Sequence, residues 1–270
     1  MDEFTDQDLT GARFEGVTLR ETSFGETTFE GARFRRVRLD HTEFRAATFH
    51  GARLLGVELV DVVISGDVSN VVVNGVDIAP LVEAELNRRD PERAAMRPTD
   101  ADGFRAAWDI VRRRWDDTVA RARTLPDEML HASVDGEWSF IETLRHLGFA
   151  SAAWIERMVL GEPSPWHPFD LPWDEAPGWD GIPWDRSLRP SLDEVLAVRR
   201  RRQDVVSEVM ATLDDERLAA TVTRTEPGWP SAEGLPVSEC LSIVLIEEWE
   251  HRGFAERDLG ALGAPGAPGA

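Results

Sequence analysis

Glu247 and His251 stand four residues apart in the segment LIEEWEHRGFAERDL, on a stripe that otherwise runs Cys240, Val244 and Phe254. Residues at that spacing project side by side on one helix face, so an acid and an imidazole together interrupt an apolar stripe. A carboxylate on a buried face is costly unless a cation meets it. Further up the chain, in GEWSFIETLRHLGFASAAW, His146 shares its helix side with Thr143, Ala150 and Ala153, small neighbours that leave room for a ligand or for close helix contact. An imidazole from one helix and a carboxylate–imidazole pair from another are a donor set for a zinc-type divalent cation. Three protein ligands leave a coordination position open, the mark of a catalytic site, where a thiol loses its proton near neutral pH. The competing reading is an internal Glu247–His251 ion pair with His146 as an unrelated core histidine. The single cysteine, Cys240, excludes an internal disulfide and a thiolate zinc site. It lies about three helical turns before His251 and reads as core.

These residues need long helices to carry them, and four are predicted. The first, over residues 104–125, places Phe104, Trp108, Val111, Trp115 and Val119 at helical spacing. The second, over 139–160, opens on a Ser139-x-x-Glu142 capping box. A third over 191–213 opens on another, Ser191 to Glu194, and a fourth over 237–258 follows Pro236. Between the second and third lies a stretch with seven Pro and four Trp over 161–191, a length that marks a functional loop or packed lid. Weaker substrate-binding candidates are Trp138, which also reads with Trp249 as packing around the site, His167 in the Trp-rich loop, and Arg199. Arg199 and its neighbour Arg202 fall near the core stripe of the third helix, where they suit a substrate carboxylate or a solvated face.

The first part of the chain obeys a different period. Large apolar residues recur every fifth position from Leu9 through Phe14, Leu19, Phe24, Phe29 and onward to Phe44, Phe49, Leu54, Leu59 and Ile64. Two residues before each centre stands a small or β-branched side chain, such as Ala12, Val17, Thr22, Thr27 and Ala32. Five fits neither the helix period nor the strand period, and each unit buries its apolar residue only by stacking on others. The register shifts after Ile64, so SGDVSNVVVNGVDI reads as a distorted final coil. A short helix over 81–88, with Pro91 and Pro98 after it, reads as a cap and linker covering the open end. The chain carries 50 acidic against 30 basic residues, a net charge of −20, which repels phosphate backbones, and it has no apolar run of transmembrane length. Nucleic acid and membrane are excluded as partners, and the acidic N-terminus lacks the character of a signal peptide, giving a cytoplasmic expectation.

Units such as GARFEGVTLR and GARFRRVRLD resemble the pentapeptide-repeat family, which implies a right-handed quadrilateral β-helix with the large centre and the small residue two before it pointing inward. The segments around His146 and Glu247–His251 resemble the DinB superfamily of metal-binding four-helix bundles over roughly 104–259. Many of its members carry His-x-x-x-His on the last helix. The Glu247-x-x-x-His251 found here is similar to the mycothiol-dependent maleylpyruvate isomerase branch. Together these imply a multidomain α and β chain: a repeat domain over 1–79, a cap helix and linker over 80–103, a metal-binding four-helix bundle over 104–260 and a disordered tail over 261–270. The resemblance implies a divalent metal, foremost zinc, at His146, Glu247 and His251, a low-molecular-weight thiol such as mycothiol, and an electrophilic substrate, hence a thiol-dependent S-transferase. The alternative is a non-enzymatic interaction protein using the repeat surface for a protein partner. A DNA-mimicking gyrase binder is a poorer fit, because residues 1–79 hold eight Arg against fourteen acids, with Arg33, Arg35, Arg36 and Arg38 clustered.

Overall fold

Parallel pairing at a spacing of twenty residues is the first structural consequence of the five-residue period. In the computed structural model, which describes residues 11–25, 33–45, 47, 49–66, 68–174, 176–179, 181–182 and 185–263, β1 (Arg13–Glu15) pairs with β3 (Arg33–Arg35) and β2 (Ser23–Gly25) with β4 (Glu43–Arg45). Arg13 lies opposite Arg33 and Ser23 opposite Glu43, so one step of the stack is four repeats long. Phe14 stacks on Phe34 at 4.7 Å and Phe24 on Phe44 at 4.9 Å, each nearly coplanar. The centres and the small residues two before them are half-buried from Ala12 to Val37, Thr42 and Phe44, while the residues between them face solvent; at the Leu39 repeat the pattern breaks, with Leu39 exposed and Asp40 half-buried. Leu9, Thr27, Phe29 and Ala32 lie outside the described residues. His41 and His50 are exposed, and the arginine cluster is partly neutralised by Arg38–Asp40 and Arg35–Glu15 pairs.

Beyond Phe49 the repeat sequence persists but its packing does not. Leu54 and Ile64 are 63% and 72% exposed, and no strand is assigned among the described residues from 49 to 66. A repeat centre is buried only by the coil stacked on it, and among the described residues no strand pairing reaches these. The segment expected to form a distorted final coil is instead an antiparallel hairpin, β5 (Val72–Val73) against β6 (Val76–Asp77). Its two-residue turn is Asn74-Gly75, both at positive φ (50° and 85°), the combination that closes a tight hairpin. The chain divides into two compact units at this point, residues 1–67 and 68–270.

The second unit continues with α1 (Ala79–Arg89), longer than the short helix expected, and a 3-10 turn, Pro91–Met96. Four long helices follow: α2 (Ala101–Ala122), α3 (Phe140–Ser151) running on into a π-helical segment, Ala152–Val159, then α4 (Leu192–Ala211) and α6 (Val237–Ala261). Between the last two sit a short α5 (Asp215–Ala219) and a hairpin of β7 (Thr221–Arg224) and β8 (Ala232–Pro236), neither of them anticipated. Both predicted capping boxes form, with Ser139 and Ser191 exchanging bonds with Glu142 and Glu194. The long helices close a ring in which α2 and α3 each pack on both α4 and α6. Their core holds Phe104, Trp108, Val111, Trp115, Leu144, Val206 and Leu241. Among the described residues no helix is long and apolar enough to cross a membrane. Of the expected tail, residues 264–270 lie outside the described residues.

The core also contains a charge pair that corrects the reading of Arg199 as a substrate anchor or a solvated residue. Arg199, 3% exposed, donates both terminal nitrogens to Glu248, 1% exposed, at 3.1 and 2.6 Å, and lies 4.5 Å over the Trp115 ring. Arg202 is likewise engaged, with Glu156, with Asp170 at 3.0 Å and with the Pro165 carbonyl at 2.6 Å. Removing one partner of such a pair strands a charge in the core. Glu248→Ala is therefore expected to cost about 3–5 kcal/mol in chemical denaturation, and the Arg199→Met/Glu248→Leu double variant to recover most of it. A Glu248→Ala loss below about 1 kcal/mol would contradict the assigned role of the pair.

Candidate metal centre

Helix α3 and helix α6 meet where their apolar faces carry the three predicted donors. The Nε2 atoms of His146 and His251 lie 3.3 and 3.0 Å from the same oxygen of Glu247, Oε2, and the three donor atoms lie within 4.8 Å of one another. His146 is buried, and Glu247 and His251 are half-buried. The four-residue step along α6 brings Glu247 and His251 to one side. The capping box at Ser139 fixes the start of α3 two turns before His146. Phe254, expected on the internal stripe, is exposed. The buried face of α6 is set instead by Leu241, Val244, Leu245, Glu248 and Ala255, which turns Glu247 and His251 to its flank.

His146 Nδ1 lies 3.0 Å from the Leu171 carbonyl, which can only accept, so Nδ1 carries the proton. With Nδ1 so committed, Nε2 faces Glu247 either as a lone pair or as a donor. Burial works against ionisation of Glu247, yet hydrogen bonds from His146 and His251, with their charge, bring its carboxyl down to about 2, so it presents a full negative charge at neutral pH. Trp138 covers the pair of imidazoles: its ring is parallel to His251 at 5.7 Å and tilted against His146 at 4.6 Å, and its Nε1 donates to Asp174 at 2.8 Å. Trp249 does not join them, lying instead under the Arg114 guanidinium at 4.9 Å.

Beside the donors opens a cavity of about 160 Å³ lined by His146, Phe149, Ala150, Trp154, Trp173, Trp229, Ile243 and Glu247. Its walls come from loops that buried arginines hold in place. Arg157, 1% exposed, gives its hydrogen bonds to the carbonyls of Pro163, Glu226, Pro227 and Pro230, and so fixes the loop that carries Trp229. Gly228, at φ +124°, leaves room for that guanidinium, which a Cβ would meet at 3.0 Å. Arg145, 2% exposed, donates to the carbonyls of Phe169, Asp185 and Leu188, while its neighbour His146 takes that of Leu171. Consecutive residues of α3 thus pin the Trp-rich loop and the first candidate ligand together. The π-helical segment widens the turn just after Phe149 and Ala150, and Trp154 within it reaches the cavity.

Two weaker candidates are placed elsewhere. His167 packs edge-on against Phe169, its Nδ1 accepting from the Phe169 N–H, and is not among the residues lining the cavity. Arg199 is committed to Glu248. The cavity walls were not anticipated, because they are assembled from four separate segments and aromatic content alone does not reveal which rings meet.

The fold and site together define a helical bundle with a two-histidine, one-carboxylate donor set at a helix seam. A family model described as the DinB superfamily matches residues 110–255, more than half of the chain, and the chain belongs to that superfamily. Residues 3–77 match a model of pentapeptide repeats. Among solved structures, a structural-genomics protein from Streptococcus pneumoniae is 11% identical, covering 60% of this chain and 91% of that one with a TM-score of 0.41. No curated protein matches the chain.

Cys240 lies fully buried in the core, and burial, with the charge of Glu239 next, pushes its thiol up to about 11. It is expected to react with a disulfide reagent such as DTNB only after unfolding, and Cys240→Ser is expected to leave metal content unchanged. Rapid native-state labelling would contradict this placement.

Proposed function

We propose that the helical unit is a metal-dependent, cytoplasmic enzyme that holds a divalent cation, foremost zinc, between His146, Glu247 and His251. It uses the site to transfer a low-molecular-weight thiol such as mycothiol to an electrophile. The observation that carries the reading is the convergence of His146 Nε2 and His251 Nε2 on one Glu247 oxygen, at 3.3 and 3.0 Å. A ring nitrogen and a carboxylate oxygen approach that closely only when a proton or a cation lies between them. The proton alternative makes His146 a buried imidazolium in an ordinary ion pair. A donor set of two imidazoles and one carboxylate fits the cation better, because it leaves a position for a reacting group. When bound, the ion would lower the pKa of a thiol or water at that position.

The chain's own residues do the rest. The Leu171 carbonyl fixes the tautomer and ring plane of His146, as outer partners of metal-ligating histidines do. Trp138 limits the rotation of both imidazoles and shields them from water on one side. The aromatic cavity supplies the binding volume. The repeats, over 1–79 in this reading, wind as a right-handed quadrilateral β-helix, supported by the twenty-residue parallel register and the stacked Phe pairs. That arm serves as a scaffold or docking surface for a protein partner. Among the described residues the only cluster able to hold a metal is in the bundle.

Elemental analysis of the purified full-length chain is expected to find about one divalent metal ion per chain. His251→Ala is expected to lose more than about 100-fold in metal affinity, since even outer partners of such ligands cost 10–100-fold. Turnover of a thiol with an electrophile should disappear in the same variant. Unchanged metal content in His251→Ala would discard the ligand set.

A further inference from the structure

The cavity beside the three donors is walled by Phe149, Ala150, Trp154, Trp173, Trp229 and Ile243, with His146 and Glu247 supplying its polar side. Its volume, about 160 Å³, is close to that of an engineered closed cavity of about 150 Å³ that takes up benzene, although this one opens to solvent on one side. Water needs two to four polar partners to settle in such a space, and here they are confined to one edge. Trp229 forms the hub of the wall: it is nearly parallel to Phe149 at 5.3 Å, and Trp154 and Trp173 meet it steeply at 5.4 and 5.0 Å. Large rings held against one another this way make stiff walls, which favour a flat occupant over a flexible one.

Charge sharpens the choice. Four buried arginines lie in α3, its π-helical continuation and α4, and each is spent elsewhere. Arg145 and Arg157 serve backbone carbonyls, Arg199 serves Glu248, and Arg202 serves Glu156 and Asp170. None of them lines the cavity. A substrate carboxylate seated against the aromatic wall, away from the donor edge, would leave water with no cationic side chain to pair with, which opposes binding there.

We infer that this cavity selects the uncharged, planar apolar part of the electrophilic substrate, about one aromatic ring in size, and discriminates against a carboxylate in the same position. The inference rests on the enzymatic reading of the site and names the substrate class that it admits. An aromatic electrophile seated there keeps its apolar ring against Trp229 and its reacting atom toward the His146–Glu247 edge.

The test uses the full-length chain, as purified and after chelation, with two ring-sized probes, toluene and phenylacetate. Binding is read by calorimetry and by tryptophan fluorescence, and metal content is measured on the same samples. Toluene is expected to bind saturably in both samples, and phenylacetate at least tenfold more weakly in the chelated chain, where no ion can hold its carboxylate. Ile243→Phe, at a half-buried cavity position on α6, should reduce toluene binding at least tenfold with an unchanged melting temperature. Trp173→Ala, which enlarges the space from the loop side, gives a second variant should the first fail to fold, and is expected to weaken toluene severalfold. No saturable toluene binding, or phenylacetate binding the chelated chain as tightly as toluene, overturns the inference. Toluene binding in a chain that holds no metal as purified upholds the apolar cavity while the metal reading fails. Metal bound without toluene binding does the reverse.

Discussion

The helical unit is organised around one electrostatic arrangement, an anionic carboxylate held between two imidazoles at the seam of α3 and α6. Glu247 Oε2 lies 3.3 and 3.0 Å from the Nε2 atoms of the two rings, and His146 has its other nitrogen committed to the Leu171 carbonyl. A proton or a cation must lie between atoms that approach this closely. The surroundings hold it in place. A capping box fixes the start of α3, Trp138 packs on both rings, and the loop carrying Leu171 is anchored by Arg145. Side chains constrained from this many directions stay converged, the arrangement that a shared cation would need.

The buried arginines divide into two kinds of work. Arg199 and Arg202 neutralise acids inside the bundle and tie α4 to α6 and to the π-helical continuation of α3. Arg145 and Arg157 have carbonyl partners, and a planar fork with five donors suits the collection of several carbonyls from one loop. Loops rich in proline offer few backbone N–H groups for sheet or helix pairing, so their carbonyls need donors from elsewhere. The arginines supply them, and Trp173 and Trp229 of those loops come to rest in the cavity wall. Because every one of these cations is consumed by structure, the cavity beside the candidate metal centre is left largely apolar.

Much of this was legible in the sequence where the signal is local. The Ser-x-x-Glu boxes at Ser139 and Ser191 mark two helix starts, and the break in the apolar stripe of α6 singles out Glu247 and His251. The limits are equally physical. The turn of α6 was read from the spacing of Cys240, Val244 and Phe254, which missed Glu248. Its neighbours Leu241, Val244, Leu245 and Ala255 put it on the buried face, but a charge there makes sense only once Arg199 on another helix is known. The π-helical run at Ala152 breaks no residue preference, so nothing announces it. Asn74-Gly75 is a hairpin signal that the nearby repeat register obscured. The five-residue pattern persists to Ile64 because sequence records which residues are suited to stacking, whereas burial depends on a neighbouring coil.

X-ray absorption spectroscopy at the metal edge of the purified chain addresses the central claim most directly, because it reads donor atoms rather than activity. The expected spectrum shows two imidazole nitrogens and one carboxylate oxygen at about 2.0–2.2 Å, with the remaining position filled by a light atom from outside the protein. A sulfur scatterer at about 2.3 Å from the protein, or a shell without imidazole, would contradict it.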